Sequence, residues 1–258
     1  MDFIQFEKIG HVGKISLSRP DKFNSFNRQM ALELQSVLDK CAADDDVRCV
    51  MLTSSGKAFC AGQDLGEAID PSGPGIEKIV IEHYNPIVEK MRFMEKPIVA
   101  AVNGVAAGAG ASLALACDIV LATQSASFSQ AFSKIGLIPD SGGTHILPRI
   151  VGYHRAAALM FLSEKISAQE GKELGFIWKV FADDEFVAKS LELCTQLAAM
   201  PTKGIGLTKR LLNESVSNDL SAQLKLEAKV QVEAAASADH KEGINAFLEK
   251  RAPVFTGK

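Results

Sequence analysis

Nothing in this chain marks a stapled or metal-built protein. Its five cysteines, Cys41, Cys49, Cys60, Cys117 and Cys194, are odd in number and widely spaced, and no two form a CxxC pair. That argues against a disulfide framework and a zinc knuckle, and it suits a reducing cytosol, so a cytoplasmic location is expected. The histidines, His11, His83, His145, His154 and His240, show no metal-like clustering, so no metal is expected; His145 remains a candidate for lining a pocket. Lys and Arg are dispersed, and the formal net charge is -3, so no basic field recruits nucleic acid or an anionic membrane. The opening MDFIQFEKIG lacks the basic-then-apolar order of a signal peptide. The longest apolar stretch, IVAAVNGVAAGAGASLALACDIVLA, is interrupted by Asn103, Ser112, Asp118 and glycines. It reads as strand, turn, buried helix and strand rather than a membrane span.

What is present is a chain of 258 residues, 47% hydrophobic and 23% charged, enough for a large core without staples. Two apolar runs between residues 3 and 18 predict a β-hairpin. Met30, Leu34, Val37, Leu38 and Cys41 are spaced for an amphipathic helix over 28–42, and CVMLT predicts a strand at 49–53. AFCAGQDLGEA reads as a loop, DPSGPG as a surface loop, residues 77–94 as a helix and KPIVAAV as a strand. Beyond about residue 140 the strand signal nearly vanishes. Ser167 and Glu170 form a capping-box pattern, and helices are expected near 184–199, 202–215, 219–237 and 239–250. The expectation is an α/β core over 1–199 and a helical region over 200–258.

Two glycine-containing turns follow strand-like runs, in FCAGQDL and in NGVAAGAGASLALACD. The second opens into an apolar helix, so free N–H groups and the positive dipole end could hold an oxyanion. Tight packing of helix on strand is the plainer explanation of either turn. A phosphate loop is another, but GxGxxG and GxxxxGK[ST] both fail here. No GxSxG elbow supports a serine hydrolase, and Cys60 has no evident partner as a nucleophile. Tyr84 and Phe132 read as pocket wall or core. Lys250, Arg251 and Lys258 are either contacts for a ligand's phosphates or a solvated tail.

Taken in order, SRPDKFNSF, SSGKAFCAGQDL, KPIVAAVNGVAAGAGASLALACDIVLA, FSKIGLIPDSGGTHILPRIVG and FLEKRAPVFTGK resemble the successive blocks of the crotonase, or enoyl-CoA hydratase/isomerase, superfamily. The resemblance implies a spiral of ββα units with a C-terminal α-helical trimerisation region, forming a homotrimer or dimer of trimers. It implies acyl-CoA thioester substrates and no resident cofactor. It places two oxyanion-hole amides on Gln63 and Ala109, with Ala61, Gly62, Asp64, Leu65, Gly108 and Phe132 along the substrate and CoA path.

Hydratases of this family carry two glutamates at positions that here read Ser112 and Phe132, and neither can handle a proton from water. Asp140, in LIPDSGG, stands where hydratases generally have glycine. Alone it would read as a helix N-cap; within the family it matches the acid/base carboxylate of some isomerases, with Phe132, Leu137 and Ile138 expected to desolvate it. CAGQDL, AFSKIGLIPDSGGTHILPR and RAPVFTGK further resemble the branch that rearranges the ring epoxide of phenylacetyl-CoA to an oxepin. Rivals are a Δ3,Δ2-enoyl-CoA isomerase, a hydratase, and a non-catalytic member binding CoA esters or RNA.

Overall fold

A computed structural model describes residues 1–258. In chain order the elements are β1 (Ile4–Ile9), β2 (Val12–Leu17), α1 (Arg28–Ala43), β3 (Cys49–Ser54), β4 (Ala58–Cys60), α2 (Leu65–Ile69), α3 (Gly75–Lys78), a π-helical turn (Ile79–Tyr84), α4 (Asn85–Phe93), β5 (Ile98–Val102) and β6 (Val105–Ala107). They continue with α5 (Ala109–Ala116), β7 (Ile119–Thr123), β8 (Ser127–Ser129), α6 (Gly143–Val151), α7 (Tyr153–Leu162), β9 (Ile166–Ser167), α8 (Ala168–Glu173) and β10 (Lys179–Phe181). The last four are α9 (Phe186–Ala198), α10 (Thr202–Glu214), α11 (Leu220–Ala235) and α12 (Ala238–Glu249). No helix is long and apolar enough to cross a membrane.

The architecture is a repeated ββα turn. The pairs β3/β4, β5/β6 and β7/β8 each send their first strand to a six-stranded sheet, ordered β1-β2-β3-β5-β7-β10. Each sends its second to a four-stranded sheet, ordered β4-β6-β8-β9. Pairing within the spiral is parallel, with β1/β2 and β8/β9 antiparallel. Strands covered on both faces need no polar alternation, and β3 shows why. Its Val50 and Leu52 join the main core with α1, whereas Cys49 and Met51 face Phe186 and Cys194 of α9. All five residues named for the apolar stripe of α1 are buried, each such aliphatic contributing about 1.5–3 kcal/mol.

Several local expectations need correction. AFCAGQDLGEA is not all loop: Ala58–Cys60 is a strand and Leu65–Ile69 a short helix. The segment expected as a helix over 77–94 starts at Gly75 and passes through the π-turn. Pro86 explains the turn. It has no N–H for the carbonyl of Glu82, and the widened turn leaves that carbonyl and the one of His83 accepting from Gln35 Nε2, at 2.8 and 3.1 Å. The short β9 and β10 lie in the region that reads as strandless, while the Ser167/Glu170 capping box is present.

Two buried cations tie the final helices to the core. Arg48 donates from Nε to Thr202 Oγ1 at 2.9 Å and from its guanidinium to the carbonyls of Phe255 and Met200 at 2.8 and 2.7 Å. Lys209 of α10 reaches Asp118 at 2.7 Å and the carbonyl of Met91 at 2.7 Å. Burial lowers the Lys209 pKa even against the pull of Asp118. Removing one partner strands the other. Lys209→Met should therefore destabilise by about 3–5 kcal/mol, read as a lower urea midpoint at fixed protein concentration; an unchanged midpoint would show that Arg92, 3.6 Å from Asp118, suffices.

Candidate active site

The loop 61–64 is stitched to the segment 23–26 by backbone bonds. Ala61 N donates to Phe23 O at 3.0 Å, Phe26 N to Gly62 O at 2.7 Å and Asp64 N to Phe26 O at 2.8 Å. Asn24, buried and in a left-handed conformation that its residue type tolerates, clamps the far side. Its Nδ2 donates to the carbonyls of Ser55 and Ala58 at 2.8 and 2.7 Å. The carboxylate of Asp64 meets Arg19 at 2.7 Å and caps α2 by accepting from Gly66 N at 2.9 Å. Burial would raise the Asp64 pKa, but Arg19 and the capping amide hold it lowered.

The second turn is set by Gly108, whose φ of 53° and ψ of -128° are open only to glycine, and whose N–H is fixed on Ser129 O at 2.9 Å. Ala109 follows with ordinary helical geometry as the first residue of α5, so its N–H has no partner within the helix. Gly62, at φ 94°, brings the two turns together: a Cβ there would stand 3.1 Å from Ala107 O and 3.4 Å from Ala109 N. The amides of Gln63 and Ala109 donate to no backbone or side-chain acceptor in the protein. Two free N–H groups therefore sit on touching loops.

Gln63 and Ala109 both line a cavity of ≈ 460 Å³. All nine residues named from the sequence, Asp140, Gln63, Ala109, Ala61, Gly62, Asp64, Leu65, Gly108 and Phe132, line it. Asp140 is not a helix cap; α6 begins at Gly143, its N-cap is Gly142, and no side chain bonds to that cap. The Asp140 carboxylate instead accepts from Ser141 Oγ at 2.9 Å and has no cationic partner. Burial raises its pKa above the ordinary 3.8, partly opposed by the Ser141 hydroxyl. Phe132 and Leu137 line the same cavity, but Ile138 is 79% exposed and does not contribute.

Other expectations resolve differently. His145 belongs to a separate surface pocket with Arg92 and Arg149. Cys60 and Tyr84 are buried, and burial pushes the Cys60 thiol up to about 12. Arg251 is engaged by Glu242 and Glu249. Lys22 and Lys134, the two cations of the cavity lining, and the apolar wall of Ile76, Ile79 and Val80 are not apparent from the sequence. A stripe at 76, 79 and 80 was the available signal, obscured by the Pro/Gly loop before it.

A ββα spiral with paired free amides over an acyl-sized cavity defines the crotonase class of protein. The enoyl-CoA hydratase/isomerase family profile matches residues 7–258, and the chain belongs to that family. It is 46% identical to the 1,2-epoxyphenylacetyl-CoA isomerase of Escherichia coli K12, covering all of both chains. It is 44% identical to a Rhodobacter capsulatus protein named "Probable enoyl-CoA hydratase", over 99% of this chain and 98% of that one. The solved enoyl-CoA hydratase of Bacillus anthracis superposes with a TM-score of 0.94 at 34% identity, over 99% of this chain and 100% of that one.

Because Gly62 holds the loops in contact, Gly62→Ala should cost about 1–3 kcal/mol of backbone strain and force the turns apart. A crystal structure of the variant should show residues 61–63 displaced from 107–109; an unmoved pair would mean the contact is not set by Gly62.

Proposed function

We propose that this chain isomerises acyl groups carried as CoA thioesters, through an enolate held by the amides of Gln63 and Ala109, with Asp140 as the base. The observation that carries the reading is that Asp140 is the one cavity-lining carboxylate without a cationic partner, since Asp64 is bound by Arg19. Asp140 takes a proton from the carbon next to the thioester carbonyl. The carbonyl oxygen gains negative charge between the two N–H groups, each such donor being worth about 2.7–4 kcal/mol. The protonated Asp140 then returns the proton at another carbon. No resident cofactor is needed, since the amides hold the charge and the carboxylate carries the proton.

The specific reaction we propose is conversion of 2-(1,2-epoxy-1,2-dihydrophenyl)acetyl-CoA to the oxepin, which the name of the E. coli relative supports. A Δ3,Δ2 shift in an enoyl-CoA would use the same groups. Hydration, suggested by the name of the R. capsulatus relative, is disfavoured because Ser112 and Phe132 offer no second carboxylate to activate water. Lys22 and Lys134 suit the phosphates of CoA.

We further propose that residues 200–258 form an oligomerisation region beyond a spiral core of 1–199, giving a homotrimer or a dimer of trimers. Exposed Leu212, Leu220, Leu224, Val232, Phe247 and Leu248 on α10–α12 support it. Five buried free cysteines fit a cytoplasmic setting.

Asp140→Asn should reduce turnover of the epoxide by about 10²- to 10⁴-fold while phenylacetyl-CoA still binds; near-normal turnover would remove Asp140 as the base. A raised folded-state pKa means that ionising Asp140 at neutral pH works against folding, so the variant's Tm should equal or exceed that of the parent.

The base acts only when ionised, so kcat/KM should fall with decreasing pH through an apparent pKa above 3.8. A limb at or below the ordinary aspartate value would contradict the desolvated setting.

A further inference from the structure

We propose that Glu67 of α2 is a positioning residue that aims the Gln63 amide at the thioester oxygen and couples it to the wall of the acyl pocket. Glu67 does not line the cavity. One carboxylate oxygen accepts from Gln63 Nε2 at 2.9 Å, and the other accepts from the backbone N–H of Arg28 at 2.9 Å. Arg28 is the first residue of α1, so a carboxylate there also meets the positive end of that helix. The Gln63 side chain is thereby anchored to the end of a sixteen-residue helix whose inner face is buried.

The orientation is imposed on Gln63. A carboxylate only accepts hydrogen bonds, so the carboxamide nitrogen must face Glu67. Gln63 Oε1 is then turned to the opposite side, where it is buried with no partner in the protein. An unpaired buried acceptor is unfavourable. The side chain keeps that arrangement because Glu67 fixes it, and with it the placement of the adjoining backbone.

The same anchor reaches the acyl pocket. The Arg28 guanidinium donates to Glu82 at 2.5 Å and contacts His83 Nε2 at 3.2 Å, both in the π-turn that supplies Ile79 and Val80 to the cavity wall. One chain of bonds, Gln63–Glu67–Arg28–Glu82, thus joins the loop that would bind the thioester oxygen to the wall that would bind the acyl group. Acyl groups that shift the π-turn therefore alter the aim of the amide, so part of the substrate selection is exercised on kcat.

The role rests on the enolate reading in one respect, that Gln63 N–H meets the thioester oxygen. Phenylacetyl-CoA labelled with ¹³C at the thioester carbonyl binds without reacting, and its C=O stretch reports polarisation by the amides. Bound to wild type or Asp140→Asn, the stretch should shift to lower frequency. In Glu67→Ala and Glu67→Gln, where a glutamine presents its own amide donor or breaks the Arg28 contact, the shift should shrink. Their kcat for the epoxide should fall about 10- to 100-fold with KM within about twofold, and Glu67→Asp should recover part of both. Wild-type stretch and kcat in Glu67→Ala would overturn the role of Glu67 while leaving the enolate reading intact. A fall in Tm without a change in stretch, or equal losses in kcat and binding with no recovery in Glu67→Asp, would reduce Glu67 to a fold contact. No shift in wild type would sink the oxyanion hole, and this role with it.

Discussion

The contact between two backbone turns, Gly62 against Ala107–Ala109, is the constraint on which the site depends. A side chain on Gly62 would be strained at φ 94° and press to 3.1 Å from the Ala107 carbonyl, and one on Gly110 would come within 2.3 Å of the Cys60 carbonyl. The ββα repeat makes the approach possible. It lays β4 and β6 side by side in the smaller sheet, so the loops that leave these strands emerge together. Two unpaired N–H groups then sit on adjoining loops, the loop of Gln63 held further by its side-chain bond to Glu67. The sheet fixes the approach of the two loops, the form of preorganisation that electrostatic stabilisation of a developing charge requires.

That scaffold is indifferent to the reaction run on it. Selection among acyl-CoA chemistries falls to the side chains around the amides, and here subtraction matters as much as addition. Ser112 is buried in α5, and Phe132 packs its ring 3.9 Å from the Cβ position of Gly108. Neither titrates. With Asp64 neutralised by Arg19, the cavity holds a single carboxylate free to trade a proton. One such group suffices for moving a proton between two carbons of the same acyl chain, whereas adding water calls for a second.

The sequence made much of this legible because the relevant signals are local. Glycine at 62 and 108 reports backbone geometry directly, and the stripe Met30, Leu34, Val37, Leu38 and Cys41 reports a buried helix face. What stayed hidden depends on pairing across distance. Asp140 looks like a cap until the structure places the N-cap of α6 at Gly142. Glu67 looks like a surface acid on a short helix until Arg28, thirty-nine residues earlier, meets the carboxylate that also holds Gln63. Lys22 faces the cavity only because a 3₁₀ turn at Pro20–Lys22 and the Asn24 clamp fold that segment over the loop. The π-turn was unreadable for a related reason, since the side chain that satisfies its freed carbonyls, Gln35, lies on α1.

Buried polar atoms without partners are concentrated on the elements that build this site. Gln63 Oε1, His83 Nδ1, Tyr84 OH, Ser112 Oγ and Gln130 Oε1 make up all but one of them. Each is unfavourable by about 1–3 kcal/mol in a static interior, and the desolvated Asp140 adds to the burden. A core this extensive can offset such a sum, because its apolar strands are covered on both faces. The distribution is therefore informative: local consistency is relaxed around the cavity and kept elsewhere, the pattern expected where a fold gives up stability to hold groups ready for a ligand. The π-turn belongs to the same account. It carries two of these atoms, forms part of the cavity wall and connects through Arg28 and Glu67 to the loop of Gln63. The bonds Gln63–Glu67–Arg28–Glu82 thus run unbroken from the first amide turn to the cavity wall.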